Sequence, residues 1–490
     1  MPHSSRLPPF DVPNTDLPSF LFDHVRRNTA YGKNPDLPVL IDDSATLTFA
    51  QFEKLTHQFA SGLVNTAGFQ PGDTLGVVLP NTAFYPAIVL GVQMAGGTAS
   101  TSNPEYTARE LAHNFKLTDT KFVVTIKNHV PVVREALRFA KMAVPDSQIF
   151  TIDGDGNTIH KLLSPLPFNR MVLTTLEQVK TGTTGLQKGV VLTHRNIVAN
   201  ILQNIVFDTH DETISAVDAK SSHQTWMAVL PFFHSYGLTM IMMLGIAKGA
   251  KLVIMRGFEV DKFCKLVQEH KPSVAHLVPP ILLRLAKDPV ARKYDLTSFV
   301  YMNSAAAPLS KELQAEVQER TGATVLNSYG VSETSPMSHR SRVSTNLVGV
   351  KIVDENGDEL AVGKAGEVCM KGPNNPKATA EAIDKDGFLH TGDIGHVDEN
   401  GNYYITDRKK ELIKYKGFQV APAELEAVQD ATVIGIYDEE RASEVPKATP
   451  TVANEVREWF DKKVVQYKRL RGGTATGKIL RRRKQLMAKL

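Results

Sequence analysis

"TFAQFEKLTHQFASGLVNTAGFQPGDTLGVVLPN" (residues 48–81) carries one complete helix-then-strand unit. Phe49, Phe52, Leu55, Phe59 and Leu63 recur at helical spacing, and Gly68 is the residue type that ends a helix. "TLGVVLP" (74–80) then reads as a buried strand. The same pairing returns at "WMAVLPF" (226–232) with a helix over 237–247, at "KLVIM" (251–255) with "VDKFCKLVQEH" (260–270), and at "FVYMN" (299–303) with "SKELQAEVQERTG" (310–322). Repeated strand–helix alternation predicts an α/β architecture with largely parallel sheets.

After about residue 350 the pattern changes. "KIVDENGDELAVGKAGEVCMKG" (351–372) and "GFLHTGDIGHVDENGNYYITDR" (387–408) carry Asn-Gly turns at 356–357 and 400–401 between short runs rich in β-formers, which are hairpin signals. From about residue 408 helix and strand patterns mix, up to "ILRRRKQLMAKL" (479–490).

Composition narrows the function classes. A chain of 490 residues that is 42% hydrophobic can bury a large core and is long enough for more than one domain. Its net charge of +4 is too small for a broad nucleic-acid-binding face, and the run Arg481, Arg482, Arg483 and Lys484 reads as a solvated helix face. Cys264 and Cys369 lie far apart without CxxC spacing, so neither a disulfide framework nor a zinc site is expected, and a reducing compartment fits. "YGLTMIMMLGIAKGA" (236–250) falls short of the roughly 20 apolar residues of a membrane span and reads as a buried helix; no transmembrane segment is expected. The proline-interrupted first 20 residues do not read as a secretory signal.

"VKTGTTGLQKGVVLTHRN" (179–196) has the chemistry of a polyphosphate cradle. Glycines let backbone N–H groups approach an anion, threonine hydroxyls add donors, and Lys188 adds a compact positive charge. It is not the usual P-loop, because Gln187 precedes Lys188 and Gly189 follows it. On this stretch alone, a simple Gly/Thr-rich turn and a phosphate loop remain equal alternatives.

Four ordered motifs decide between them: "TGTTGLQKGVVLTHRN" (181–196), "NSYGVSETSP" (327–336), "HTGDIGHVDENGNYYITDRKKELIKYKGFQVAPAELEAV" (390–428) and "TATGKILRR" (474–482). In order and placement they resemble the adenylate-forming superfamily of acyl- and aryl-CoA ligases, luciferases and peptide-synthetase adenylation domains, and most closely its 4-coumarate:CoA ligase-like branch. The resemblance runs from about Leu17 onward. It implies a large N-terminal domain (1–407) of parallel-rich sheets flanked by helices with a smaller β subdomain, then a small mobile α+β domain (408–490). It implies ATP and Mg²⁺ as cofactors, coenzyme A as co-substrate, and a small carboxylic acid as substrate.

The resemblance also implies roles for single residues. Thr181, Gly182, Thr183, Thr184, Gly185 and Lys188 would hold the β- and γ-phosphates, and Glu333 would bind Mg²⁺, as suits a hard carboxylate facing phosphate oxygens. Asn327, Ser328, Tyr329 and Ser332 would line the AMP site, with Ala306 of "SAAAPL" near the acyl and adenine groups. Asp393 would accept from the ribose hydroxyls, helped by Arg408. Lys478 resembles the adenylation lysine that reaches the carboxylate and the α-phosphate. Asp407, Arg408 and Lys409 fall at the hinge of the mobile domain. Lys414 and Gln419 resemble residues acting on the adenylate, Lys416 and Gly417 resemble CoA contacts, and Lys410 falls in the same nucleotide-binding stretch. "PFFHSYGL" (231–238) places His234 and Tyr236 at the acyl pocket, and its lack of an aspartate favours an acid without an α-amino group.

The chain also departs from the pattern. Lys180 stands where relatives have a hydroxyl residue, and the segments around "STNLVGVKIVD" (344–354), "KGPNNPKATAE" (371–381), "AELEAVQDATVIG" (423–435) and "EVPKATPTVANEV" (444–456), and before "TATGKILRR", are abbreviated. Two explanations stay open: an active ligase with trimmed loops, or a shortened homologue that binds nucleotide or acyl groups without turnover. A third reading is adenylation followed by a step other than CoA transfer. The last three residues, "AKL", resemble a peroxisomal import signal, which implies the import receptor as a partner and a peroxisomal location, with the cytoplasm as the alternative.

Overall fold

The computed structural model describes residues 8, 10–154, 158–163, 189–212, 214–215, 223–307, 309–340, 345–346, 349–372 and 383–408, together with the strand backbones at 413–415, 418–420, 433–438 and 443–448. Side chains are described up to residue 405, apart from 345–346.

The opening unit folds as its sequence dictates. Thr48 and Gln51 form a reciprocal capping box at the start of the helix Phe49–Asn65, each side chain accepting from the other's backbone N–H. Phe49, Phe52, Phe59 and Leu63 are buried, and Leu55 packs beside them. Each such side chain contributes about 1.5–3 kcal/mol of burial. The helix stops at Asn65, three residues before Gly68, whose φ of +75° reverses the chain into the fully buried strand Thr74–Val77.

That strand belongs to a four-stranded, all-parallel sheet in the order Thr98–Thr101, Thr74–Val77, Thr120–Thr125, Ile149–Thr151. A second, nine-stranded sheet has six parallel strands in the order Pro38–Ile41, Lys251–Ile254, Thr225–Ala228, Val274–Leu277, Tyr301–Ser304, Thr324–Gly330. Antiparallel strands flank it: Thr46–Thr48 on one edge, Met337–Arg340 and Thr345–Asn346 on the other. The expected pairs are present as the strand Lys251–Ile254 with the helix Val260–His270, and the strand Tyr301–Ser304 with the helix Lys311–Thr321. Ser310 caps the last of these and Gly322 ends it at φ +69°.

One helix differs from expectation. The apolar stretch beginning at Tyr236 is buried, but Tyr236–Met243 is wound as a π-helix and only Leu244–Ala247 is α-helical. A Cβ on Gly237 would lie 2.1 Å from the Pro231 carbonyl oxygen, so only glycine lets the segment start this close to the loop before it. Among the described residues no helix is long and apolar enough to cross a membrane.

The third sheet is antiparallel: Gly349–Val353, Gly366–Lys371, Leu389–Val397, Tyr403–Arg408. Gly401, at φ +79°, turns the hairpin between its last two strands, as the Asn-Gly signal predicts. The other Asn-Gly pair, with Gly357 at φ +89°, sits inside the longer 354–365 connection, where Val353 bridges to Glu359. Beyond residue 408 the described backbone forms two hairpins, Ile413–Tyr415 with Phe418–Val420 and Val433–Asp438 with Ser443–Ala448. The helices expected in this region lie outside the described residues.

Candidate active site

The six parallel strands of the large sheet end on one edge, and three of the loops leaving it carry residues that the sequence singled out. Thr225–Ala228 leads to His234 and Tyr236, Tyr301–Ser304 to Ala306, and Thr324–Gly330 to Ser332 and Glu333. The chain order reverses around Thr225–Ala228, whose successors Lys251–Ile254 and Val274–Leu277 lie on opposite sides of it. Open α/β sheets take ligands in the crevice at such a reversal.

The loop Leu230–His234 is held from the smaller parallel sheet. Asn81 donates its side-chain amide to the Leu230 carbonyl (2.9 Å) and accepts from the Phe232 N–H (2.7 Å), while the Thr101 hydroxyl donates to the Phe233 carbonyl (2.9 Å). His234 is half-buried, and burial lowers its pKa. Its Nδ1 faces the Tyr236 N–H at 3.3 Å, so in the neutral ring the proton sits on Nε2, leaving a donor for a carboxylate. Tyr236 is buried in a polar chain: its hydroxyl donates to the Asn303 carbonyl (3.1 Å), accepts from the Asn303 amide (2.8 Å) and lies 3.4 Å from Nδ1 of His276. Asn303 Oδ1 in turn accepts from the Ser328 hydroxyl at 2.6 Å. Burial pushes the Tyr236 hydroxyl pKa up and takes His276 down to about 3, so both are neutral near pH 7.

Among the residues expected at the nucleotide, Tyr329 donates to Asp393 Oδ2 at 2.7 Å, and the backbone N–H of the buried Asp393 donates to Thr391 Oγ1 at 3.1 Å. Asp393 is the Cα partner of Arg408 across the antiparallel ladder, which puts the two residues expected at the ribose in direct register. The hydroxyls of Ser332 and Ser235 are 3.0 Å apart, tying the "SET" turn to the "HSY" loop. Glu333 is half-buried on that turn. Ala306 is exposed at φ +69°, a left-handed conformation costly for alanine and of the kind that gathers at functional sites. Asn327 is exposed in the strand, opposite Ser304.

The structure therefore joins Tyr236 to Ser328, Ser332 to the loop of His234, and Tyr329 to Asp393. Thr181, Gly182, Thr183, Thr184, Gly185, Lys188, Lys410, Lys416, Gly417 and Lys478 lie outside the described residues. Lys414 and Gln419 are described in backbone only, as direct Cα partners in the hairpin of Ile413–Tyr415 and Phe418–Val420. Sequence reasoning missed Asn81, Thr101, Ser235, His276 and Asn303. The signal for two of them was a polar residue at the carboxyl end of a buried run, Asn81 after "GVVLP" and Asn303 closing "FVYMN".

Cys264 and Cys369 are buried free thiols, and burial pushes Cys264 up to about 11. Cys369 Sγ (3.5 Å) and Glu367 Oε2 (3.2 Å) both approach the same His390 nitrogen, Nδ1, so these three do not form a nucleophile–base–carboxylate relay.

The AMP-binding enzyme family matches residues 27–378. A probable 4-coumarate–CoA ligase of Dictyostelium discoideum is 34% identical over 551 aligned residues, covering 98% of this chain and 96% of the relative. A 4-coumarate–CoA ligase of Petroselinum crispum is 34% identical, covering 95% and 91%. The Dictyostelium alignment is longer than the 490-residue chain, so it includes positions that this chain lacks, in keeping with the abbreviated segments. Among solved structures, a long-chain-fatty-acid-CoA ligase from Archaeoglobus fulgidus superposes with a TM-score of 0.74 at 23% identity, covering 95% of this chain and 97% of that one. An amide bond synthetase from Marinactinospora thermotolerans gives 0.74 at 20% identity, covering 92% and 94%. These structures share the two-domain α/β fold. The chain belongs to the AMP-binding enzyme family, the adenylate-forming enzymes that its motifs resemble.

Proposed function

We propose that this chain is an ATP- and Mg²⁺-dependent acid:CoA ligase acting on an aromatic or medium-chain carboxylic acid. The observation that carries the reading is the convergence of His234, Tyr236, Ser332 and Glu333 at one sheet edge, with Tyr329 hydrogen-bonded to Asp393 beside them. The curated 4-coumarate–CoA ligases, similar over nearly the whole chain, support the same class.

A carboxylate is a poor electrophile because its charge is delocalised and it has no good leaving group. Its oxygen attacks the α-phosphate of ATP, pyrophosphate leaves, and the resulting acyl-adenylate has AMP as leaving group for the CoA thiolate. The protein's part is to position anions and stabilise shifting charge. His234 Nε2–H would orient the carboxylate, Asp393 would accept from the ribose, the 181–188 stretch would grip the leaving phosphates, and Lys478 would supply positive charge at the reacting centre. Among the described residues no group of three His, Cys, Asp or Glu side chains could hold a metal by itself. Mg²⁺ is normally held by one or two carboxylates with phosphate oxygens and water, so the single half-buried carboxylate of Glu333 fits it, and the ion would screen the charge of the phosphates.

Acid-dependent exchange of labelled pyrophosphate into ATP, run over aryl, fatty and short-chain acids, tests the first half-reaction, and a thioester formed on adding CoA tests the second. Exchange without thioester would assign a different acceptor. ATP binding without exchange would assign a non-catalytic homologue. The terminal "AKL" is proposed as a peroxisomal address, tested by whether deleting it returns a fluorescent fusion to the cytoplasm.

A further inference from the structure

The strand Leu389–Val397 leaves regular pairing at the "TGD" of its motif. Against its neighbour Gly366–Lys371 the ladder pairs Cys369 with His390 and Glu367 with Ile394, so Val368 alone faces Thr391, Gly392 and Asp393. The surplus forms a bulge, with Gly392 at φ +72°. Bulges re-aim side chains and are common beside active sites. Here the bulge ends on Asp393, whose Oδ2 accepts from Tyr329 at 2.7 Å.

Side chains hold the bulge where the ladder is interrupted. Glu367 Oε1 accepts from the Gly392 N–H (3.0 Å), and the Thr391 hydroxyl donates to the Val368 carbonyl (2.7 Å) while accepting from the Asp393 N–H (3.1 Å). The other Glu367 oxygen, Oε2, lies 3.2 Å from Nδ1 of His390, which steadies the carboxylate. Glu367 is buried, its side chain only 8% exposed. Burying a carboxylate is costly, and an apolar side chain would pack a strand at least as well, so stability alone does not account for it. What Glu367 supplies is a strong acceptor for a backbone N–H inside the bulge.

We propose that Glu367 and Thr391 are positioning residues that hold the bulge in the shape that fixes the Asp393 carboxylate for the ribose hydroxyls of a bound nucleotide. The inference rests on the reading above in which Asp393 accepts from the ribose. Neither residue needs to touch the nucleotide, because they act through the backbone of Gly392 and Asp393. Loosening the bulge therefore weakens a nucleotide only as far as its ribose hydroxyls are read.

Calorimetric titration of the full-length chain with ATP and with dideoxy-ATP, which lacks both ribose hydroxyls, reads this without requiring turnover. Wild-type protein should bind ATP more tightly. Glu367→Leu should weaken ATP about tenfold, the scale of one lost bond to a charged group, and dideoxy-ATP by less than about twofold. Glu367→Gln keeps an acceptor of the same reach for Gly392 and should restore most of the loss. Thr391→Val keeps the shape without the hydroxyl and should show the same split; it reads the bulge independently should thermal melts show that Glu367→Leu fails to fold. Folded variants that bind ATP as the wild type does, or that weaken both nucleotides equally, would overturn the proposal. Wild-type protein that binds both nucleotides equally, or neither, would overturn the reading on which the proposal rests and the proposal with it, which is a different result.

Discussion

Tyr329 gives its phenolic proton to Asp393 Oδ2 at 2.7 Å, across 64 residues of sequence and from the large sheet to the antiparallel one. The aspartate is buried, so this bond both anchors it and sets which of its oxygens faces the Tyr329 side. A hydrogen bond to a charged group is among the stronger ones a protein makes.

Tyr329→Phe removes that bond and keeps the ring. The KM for ATP in pyrophosphate exchange should rise about tenfold, the scale of one lost bond to a carboxylate, while the KM for the acid stays within about twofold. Unchanged ATP dependence would show that Asp393 does not work on the nucleotide.

Asn81 gives the opposite split. By clasping both Leu230 and Phe232 it shapes the loop that ends in His234. Asn81→Ala should raise the KM for the acid about tenfold and leave that for ATP nearly unchanged, because the freed loop misplaces the carboxylate contact. A rise confined to ATP would contradict this placement.

Two buried histidines make stability depend on pH. His276 and His339 are taken down to about 3 by burial, whereas the unfolded chain protonates them near 6.5. The unfolded state thus binds more protons between these values. The stabilisation is full above pH 6.5 and is lost as the pH falls toward 3, at about 1.4 kcal/mol per pH unit for each ring. His339 lies between the rings of Tyr329 and Tyr403, at centroid distances of 5.6 and 4.7 Å, so His339→Phe keeps an aromatic there without the titration. Urea denaturation from pH 7 to 5 should show its slope against pH reduced by one proton. An unaltered slope would mean that His339 is protonated in the fold.

Local patterns carried most of the architecture into view from the sequence. The Phe49–Asn65 helix, the Thr74–Val77 strand and the Gly401 turn are each set by residues within a few positions of one another. Buried polar partners far apart in sequence stayed out of view: Asp208 pairs with Arg340, 132 residues further on, and nothing local marks either. The same distance hid Asn81 beneath the 230–234 loop and Asn303 between Tyr236 and Ser328. The π-winding of Tyr236–Met243 was hidden for another reason, since an apolar run without polar punctuation has the same pattern in either helical form.

The central claim is that this chain activates a carboxylic acid as its adenylate, and acid-dependent exchange of labelled pyrophosphate into ATP measures that step directly. Wild-type protein should catalyse exchange with at least one aryl or medium-chain acid, and Lys478→Ala should lower the rate by about a hundredfold or more, as losing one charge-stabilising group in a transition state does. No exchange with any acid by protein that binds ATP would contradict it, whereas full exchange by the alanine variant would remove Lys478 from the reacting centre and leave adenylation standing.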